Sequence, residues 1–155
     1  MMKRNHVTAV MIILAVCMTI QFVVAEDGAA EMRFQVSGEG SVSDAETGLH
    51  WTTKDNQEDI DWHKATTYCH ELVLDRSSNW RLPTIEELEA IFDERGYRGP
   101  LSVKISRSSS WSSTRDGSSS ALYFDFNYGS QGTSVLELSG DLRALCVRDS
   151  DEKAE

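Results

Sequence analysis

The sequence predicts an α+β fold in which two helices pack on short antiparallel sheets, with a loop-rich middle. After Asp61, apolar residues recur at spacings of three and four, which is the period of a helix with one buried face. Residues 84–87 have the pattern of a capping box, which predicts the start of a second helix. Apolar and polar residues alternate over residues 122–128, as expected of a strand with one buried face.

The N-terminal part of the predicted domain consists of short strands. Residues 33–36 are predicted to form a strand that ends at the glycine-containing segment 37–40. Two further extended segments begin at Val42 and Leu49, and a polar turn at residues 44–48 separates them. This arrangement predicts a hairpin.

The first predicted helix begins after Asp61, whose carboxylate can accept a hydrogen bond from a backbone N–H in the first turn. The residues expected on its buried face are Trp62, Ala65, Cys69, Leu72 and Val73. Cys69 lies in the middle of this face, where a structural cysteine is expected.

The second predicted helix follows Pro83. The residue before a proline avoids the helical region, so the chain up to Pro83 is expected to be extended and the helix to begin after it. Its expected extent is residue 85 to about residue 94, and Gly96 is expected to end it. The apolar residues expected to be buried are Leu88, Ile91 and Phe92.

The middle of the domain, residues 96–120, is rich in glycine and serine and is predicted to form surface loops with a short strand at Trp111. Although the chain has 25 acidic and 15 basic residues, this segment contains no acid before Asp116. The basic residues in or beside it are Arg95, Arg98, Lys104, Arg107 and Arg115. A basic segment in an acidic chain is the candidate binding surface.

The last third is predicted to contain a turn at residues 129–132 and two more strands, residues 133–138 and 143–148. The second of these strands carries Cys146. Residues 150–155 form a charged tail that is expected to be disordered.

Residues 1–25 have the features of a signal peptide that directs export to the periplasm or the exterior. Lys3 and Arg4 precede an apolar run, residues 7–20, and residues 23–25 fit a signal-peptidase site. The alternative is an uncleaved anchor, because the apolar segment is barely long enough to span a bilayer. Cleavage is favoured because no basic cluster follows. A linker, residues 26–32, and one domain, residues 33–149, are then expected.

Without this leader, 13 basic and 25 acidic residues give a formal net charge of −12. This charge argues against binding to nucleic acid or to an anionic membrane. Cys69 and Cys146 remain, and a pair of cysteines in a small exported domain predicts a disulfide. A two-cysteine catalytic site is the alternative.

Five segments of the chain form an ordered set of motifs. Residues 42–51 contain V-x-D-x-x-T-G-L-x-W, and residues 80–88 read W-R-L-P-T-I-E-E-L. The other three segments are residues 62–72, 111–113 and 146–148. As a set, from about residue 33 to residue 149, they resemble the C-terminal domain family of the Legionella collagen-like adhesin (Lcl).

This resemblance implies a C-type-lectin-like fold, in which a cysteine of the first helix pairs with one in the last strand. In the adhesin the domain is associated with trimers and with sulfated glycosaminoglycans. For this chain we expect a non-enzymatic binding or adhesion module whose partner is an acidic or sulfated glycan, with a homo-oligomer as a further expectation. The alternatives are an accessory subunit that binds an envelope protein, and an enzyme distantly related to formylglycine-generating enzymes, which share a similar R-L-P-T-E turn.

The tryptophans are predicted to fill the core, and only Trp111 is retained as a candidate for contact with a ligand. The candidate ligand-binding residues are therefore Arg98, Lys104, Arg107, Trp111 and Arg115. No catalytic residue, metal site or cofactor is predicted, because no nucleophile motif or tight spacing of metal ligands occurs.

The leader prediction is tested by the mass of the protein purified from its native host. Signal-peptidase cleavage after Ala25 predicts a chain that begins at or near Glu26. An intact N-terminus recovered with the membrane fraction would establish the anchor instead.

Overall fold

The computed structural model describes residues 33–38, 40–92, 103–106 and 109–150. These residues belong to one unit, Met32–Glu155. The leader, the linker, Arg98, Arg107 and the end of the charged tail lie outside the described residues.

The described residues form an α+β fold with two helices and two mostly antiparallel sheets. The helices are α1 (Trp62–Glu71) and α2 (Ile85–Ala90). The strands are β1 (Phe34–Ser37), β2 (Ser41–Asp44), β3 (Leu49–Thr52), β4 (Ser109–Arg115), β5 (Ser120–Asp125), β6 (Ser130–Val135), β7 (Leu142–Arg143) and β8 (Val147–Asp149). The first sheet has the order β1-β2-β3-β8, and the second has the order β6-β5-β4-β7 with only β4 and β7 parallel.

The predicted hairpin is confirmed, and Asp44 organises the turn between β2 and β3. Its buried carboxylate accepts hydrogen bonds from Arg33 (2.8 Å from both Nε and Nη2), from the Glu46 N–H (3.0 Å) and from the Thr47 hydroxyl (2.8 Å). Burial opposes ionisation, but these hydrogen bonds outweigh it and lower the pKa of Asp44. Gly48 ends the turn with a φ of 72°, which a residue without Cβ adopts freely.

Helix α1 confirms the predicted N-cap. The Asp61 carboxylate accepts a hydrogen bond from the Lys64 N–H at 2.9 Å, and Ala65 and Cys69 are buried. The helix ends at Glu71 because Leu72 adopts an extended conformation. The prediction that Val73 is on the buried face is therefore wrong: its side chain is 70% exposed.

Helix α2 confirms the predicted capping box. Thr84 and Glu87 each accept a hydrogen bond from the other's backbone N–H, at 3.3 Å and 2.7 Å. The helix is shorter than predicted, since it ends at Ala90, where the Phe92 N–H bonds back three residues to the Glu89 carbonyl. Phe92 still packs on the core, 5.7 Å from the ring centre of Phe124.

Part of the serine-rich middle, predicted to be mainly surface loops, forms strand β4. Strand β4 is an inner strand of the second sheet, and its Ser110 and Ser112 are buried. Their hydroxyls donate hydrogen bonds to the carbonyls of Arg143 (3.3 Å) and Leu122 (2.9 Å), which allows these small polar side chains to be buried.

The C-terminal third corrects two predicted strand boundaries. Phe124 and Phe126 are buried as predicted, but Tyr128 is 81% exposed because β5 ends at Asp125 and the chain turns before β6 begins at Ser130. The strand predicted over residues 143–148 is divided between the sheets, with β7 in the second and β8 in the first.

The second sheet separates two clusters of buried residues. In β5, Ala121 and Tyr123 contribute to the cluster that contains α1, whereas Leu122 and Phe124 contribute to the cluster that contains α2 and the first sheet. The tryptophans Trp51, Trp80 and Trp111 are buried in these clusters, which confirms the core prediction for them.

Cys69 of α1 and Cys146, which directly precedes β8, are joined by the predicted disulfide. Both cysteines are completely buried. The bond closes a loop across 77 residues and connects a helix on one face of the second sheet to the segment between β7 and β8.

Changing both cysteines to alanine is expected to lower the free energy of unfolding by about 2–4 kcal/mol, because the unfolded chain then loses a long-range constraint. Urea unfolding of the double variant and of the wild type, with and without reductant, measures the difference. Equal midpoints for the oxidised wild type and the variant would contradict a stabilising disulfide.

Candidate functional site

The described residues include three of the five candidate ligand-binding residues: Lys104, Trp111 and Arg115. Their surroundings differ. Lys104 and Arg115 are exposed, whereas Trp111 is buried, and no described contact joins Lys104 to Arg115.

Trp111 belongs to the core. Its side chain has no exposed surface, and its indole N–H donates a hydrogen bond to the Ile60 carbonyl at 2.8 Å. A ligand arriving from solvent meets no face of this ring. The structure therefore corrects the prediction that Trp111 contacts a ligand, and we do not retain it in the candidate site.

Lys104 lies in a short extended segment whose side chains alternate between core and solvent. Val103 and Ile105 are buried, whereas Lys104 and Ser106 are exposed. The backbone N–H of Lys104 donates to the Thr53 carbonyl at 2.7 Å. This pattern fixes the Lys104 side chain on the surface.

Lys54 is the neighbour of Lys104 in a parallel β-bridge, in which the Asp55 N–H donates to the Lys104 carbonyl at 3.2 Å. Bridged residues of this kind lie about 5 Å apart across the hydrogen bonds. Lys54 is also exposed, and among the residues that the structure describes neither lysine forms an ion pair with an acid. We name these two residues the lysine pair.

Asp55 follows Lys54 in the sequence but is directed into the protein. Its buried carboxylate accepts hydrogen bonds from the Ser106 N–H (2.6 Å), the Ser106 hydroxyl (2.9 Å) and the Gln57 N–H (2.9 Å). These bonds hold the chain on both sides of the lysine pair, since they connect the segment after Lys54 to the segment after Lys104.

Arg143 extends this hydrogen-bonded network towards β7. Its side chain is buried, forms an ion pair with Asp59, and donates from Nε to the Ser106 hydroxyl at 3.3 Å. The loop that carries Lys54 is thereby attached to the second sheet. This attachment holds the backbone of the lysine pair in place.

Arg115 lies at the end of β4, beside α1. Its guanidinium carbon is 4.9 Å from the ring centre of Trp62, and its Nε donates to the Ser120 carbonyl at 3.2 Å. A cation over an aromatic face is attracted by the ring and keeps its charge. Within the described part of the chain, Arg115 has no acidic partner.

Arg81 and Glu87 form the structural link that connects the segment before α2 to the helix. Two hydrogen bonds of 2.8 Å join the guanidinium to the carboxylate, and Asp149 of β8 lies 3.2 Å from the same guanidinium. Burial opposes ionisation of Glu87, but the bonds from Arg81 and from the Thr84 N–H outweigh it and lower the pKa of Glu87. These residues stabilise the fold and offer no free group for chemistry.

The described residues hold no group of three His, Cys, Asp or Glu side chains that could bind a metal ion. None of the helices in the described part of the chain is long and apolar enough to cross a membrane.

These observations define a small disulfide-linked α+β domain with an exposed lysine pair. A family model for the Lcl C-terminal domain matches residues 40–148, and the chain belongs to this family. The match confirms the resemblance found in the sequence. No curated protein matches the chain.

The lowered pKa of Glu87 makes the contribution of the Arg81–Glu87 pair depend on pH. Its stabilisation is fully present above the unfolded-state pKa, which is the ordinary value of 4.5, and is lost as the pH falls through the lower folded-state pKa. Glu87→Gln retains an oxygen for the capping box but removes the charge. We expect it to lower the free energy of unfolding by about 1 kcal/mol at pH 7, and by less at about pH 3.

Urea unfolding at the two pH values measures this difference. Glu86→Gln is the control, because Glu86 is an exposed residue of the same first turn, and it is expected to change stability by less than about 0.5 kcal/mol. An equal effect of Glu87→Gln at both pH values would contradict a role for the charge.

Proposed function

We propose that this chain is an exported, non-enzymatic ligand-binding module that recognises acidic glycans at a surface containing Lys54 and Lys104. The observation that carries the proposal is the lysine pair: two exposed ammonium groups on bridged residues without a described acidic partner. The predicted leader supports export, and membership of the Lcl C-terminal domain family is consistent with adhesion.

Neighbouring positive charges repel each other, and an anion that binds between them removes this repulsion. A sulfate or carboxylate group of a glycan has the size and charge to contact both ammonium groups, whereas the acidic remainder of the chain repels polyanions that do not fit. Arg115, which has no acidic partner within the described part of the chain, adds a third cation elsewhere on the surface. We include Arg98 and Arg107 in the proposal on the basis of the sequence.

The hydrogen-bonded network of Asp55, Ser106 and Arg143 beneath the lysine pair supports a binding role. Because Asp55 and Arg143 hold the two lysine-bearing segments together through Ser106, the backbone positions of Lys54 and Lys104 need no rearrangement on binding. A site that is ordered before the ligand arrives loses less conformational entropy when the ligand binds.

The buried disulfide supports the non-enzymatic form of the proposal. In the oxidised protein, Cys69 and Cys146 offer no thiol for catalysis. We also propose that the fold is C-type-lectin-like, and the link from the first helix to a position next to the last strand supports this assignment.

The test uses a heparin fragment as a sulfated glycan and the double variant Lys54→Gln/Lys104→Gln. We expect the variant to bind roughly tenfold more weakly than the wild type at about 50 mM salt, a loss of about 1.4 kcal/mol. Wild-type binding should weaken clearly at about 150 mM salt because exposed charges are screened. Isothermal titration calorimetry measures both effects.

The matched control is Lys64→Gln/Arg76→Gln, which removes the same charge from exposed positions outside the site. It should retain wild-type affinity to within about twofold. The proposal fails if the wild type does not bind at low salt, or if the control weakens binding as much as the lysine variant does.

A further inference from the structure

Within the described part of the chain, strand β6 is an exposed edge without the usual protection against pairing. It is the outermost strand of the second sheet, and its six residues, Ser-Gln-Gly-Thr-Ser-Val, contain no charge and no proline. Proteins commonly protect edge strands with lysine, proline, a bulge or a covering segment. Among the described residues, no strand pairs with the outer side of β6.

The hydrogen-bond pattern shows which backbone groups of β6 are free for pairing. The Leu136 N–H continues the β5–β6 ladder by donating to the Ser119 carbonyl at 3.0 Å. Because bonding groups alternate along an antiparallel strand, Ser134, Gly132 and Ser130 are also directed at β5. The backbone groups of Gln131, Thr133 and Val135 therefore point away from β5, and all three residues are exposed. Of these groups, the Val135 carbonyl already accepts a hydrogen bond from the Leu138 N–H at 3.1 Å.

The other described sheet edges are less suited to pairing. Strand β7, at the opposite edge of the same sheet, has only two residues, and β8, at one edge of the first sheet, has three. Strand β1 has four residues and follows Arg33, which is held in ion pairs with Asp44 and Glu46. Strand β6 thus presents the longest free edge.

We propose that β6 pairs in antiparallel orientation with β6 of a second copy, about a two-fold axis at Thr133. The two second sheets then form one continuous eight-stranded sheet. In this register Thr133 lies opposite Thr133 of the second copy, and Gln131 lies opposite Val135. The N–H and carbonyl of Thr133 then exchange two hydrogen bonds with those of the second copy, and the Val135 N–H donates to the Gln131 carbonyl, because a two-fold axis places each donor opposite an acceptor. The Gln131 N–H meets the Val135 carbonyl, which accepts it as a second hydrogen bond.

The charge distribution favours a second copy at this edge over other contacts between copies. The chain has a net charge of −10, so most contacts between copies bring carboxylates together. Strand β6 itself carries no charge, and Glu137, two residues beyond the strand, lies opposite Gly129 of the second copy. The acid in contact with the strand is Asp116, whose carboxylate accepts a hydrogen bond from the Thr133 hydroxyl at 2.9 Å. The contact is small, and self-association is therefore expected to be weak and dependent on concentration.

The first experiment is sedimentation velocity from about 10 µM to about 1 mM protein, the range for weak association. We expect the wild type to shift from monomer to dimer as concentration rises. Thr133→Lys should abolish the shift, because it places two ammonium groups at the axis. Thr67→Lys is the control: it makes the same exchange at an exposed position of α1 and removes one comparable hydroxyl hydrogen bond.

Salt separates this proposal from glycan binding. Added salt screens the repulsion between two acidic copies, so dimerisation should strengthen with ionic strength, whereas glycan binding should weaken. Failure of one proposal therefore leaves the other testable. A wild type that stays monomeric throughout, or a trimer that Thr133→Lys does not change, would overturn the proposed pairing.

The second experiment tests the register by cross-linking in a Cys17→Ser background, in which the two remaining natural cysteines form the disulfide. Opposed residues of a hydrogen-bonded antiparallel pair have Cα atoms about 5.5 Å apart, within the range of a disulfide. Thr133→Cys is expected to give covalent dimers on mild oxidation. Gln131→Cys alone should give few, because its thiols are separated by four positions along the strand.

Mixing Gln131→Cys with Val135→Cys should restore the cross-link, since these positions are opposed in the proposed register. Absence of covalent dimer from Thr133→Cys, or equal cross-linking of Thr133→Cys and Gln131→Cys, would show that β6 is not paired in this way. Near-native circular dichroism of each variant is required for the comparison.

Discussion

The disulfide between Cys69 and Cys146 fixes α1 to a segment, residues 142–149, that contributes a strand to each of the two sheets. From β7 to β8 the chain leaves the second sheet and joins the first, and between them Ala144 and Cys146 contribute to one buried cluster while Leu145 contributes to the other. The backbone of Cys146 is also bonded to Thr52, through its carbonyl (3.0 Å) and its N–H (3.3 Å). A change in position of this segment would therefore disturb both clusters at once.

The lysine pair depends on the same segment through short, local connections. The Asn56 side chain accepts the Ala144 N–H at 2.8 Å, and the Ala144 carbonyl accepts the Asn56 N–H at 3.0 Å. Arg143 holds Asp59 and Ser106 on either side of this contact. The loop that carries Lys54 is thus ordered by the segment between β7 and β8 rather than by a helix or sheet of its own. This explains how the polar loop that carries Lys54 is ordered.

The features that the sequence predicted correctly are those decided by neighbouring residues. The N-cap at Asp61 and the capping box of Thr84 and Glu87 need only a few adjacent side chains, so their patterns are visible in the sequence. The end of α2 is different, because Phe92 packs on Phe124 across the core and the chain turns early to permit it. Helix periodicity alone could not show this contact.

Long-range pairing also explains the errors at the site. Ser110 was expected at the surface because serine is polar, yet a carbonyl of the distant β7 accepts its hydroxyl inside the sheet. Lys54 was missed because it lies among acidic residues and 50 positions from Lys104, and only the β-bridge brings the two together. No local composition signal could have joined them. The short strand predicted at Trp111 exists, but it was expected within a surface segment, whereas β4 lies inside the sheet.

The acidic composition has a structural origin that bears on both proposed surfaces. Asp44, Asp55 and Asp125 each accept the backbone N–H two residues later, and Asp61 and Glu87 cap the two helices. A fold of short strands and helices has many turns and helix N-termini. Carboxylates accept hydrogen bonds from the backbone N–H groups that are unpaired at these places. Several acids are therefore fixed to their own backbone and cannot move to neutralise the lysine pair. Strand β6 contains no turn or helix end that a carboxylate would cap, and it carries no charge.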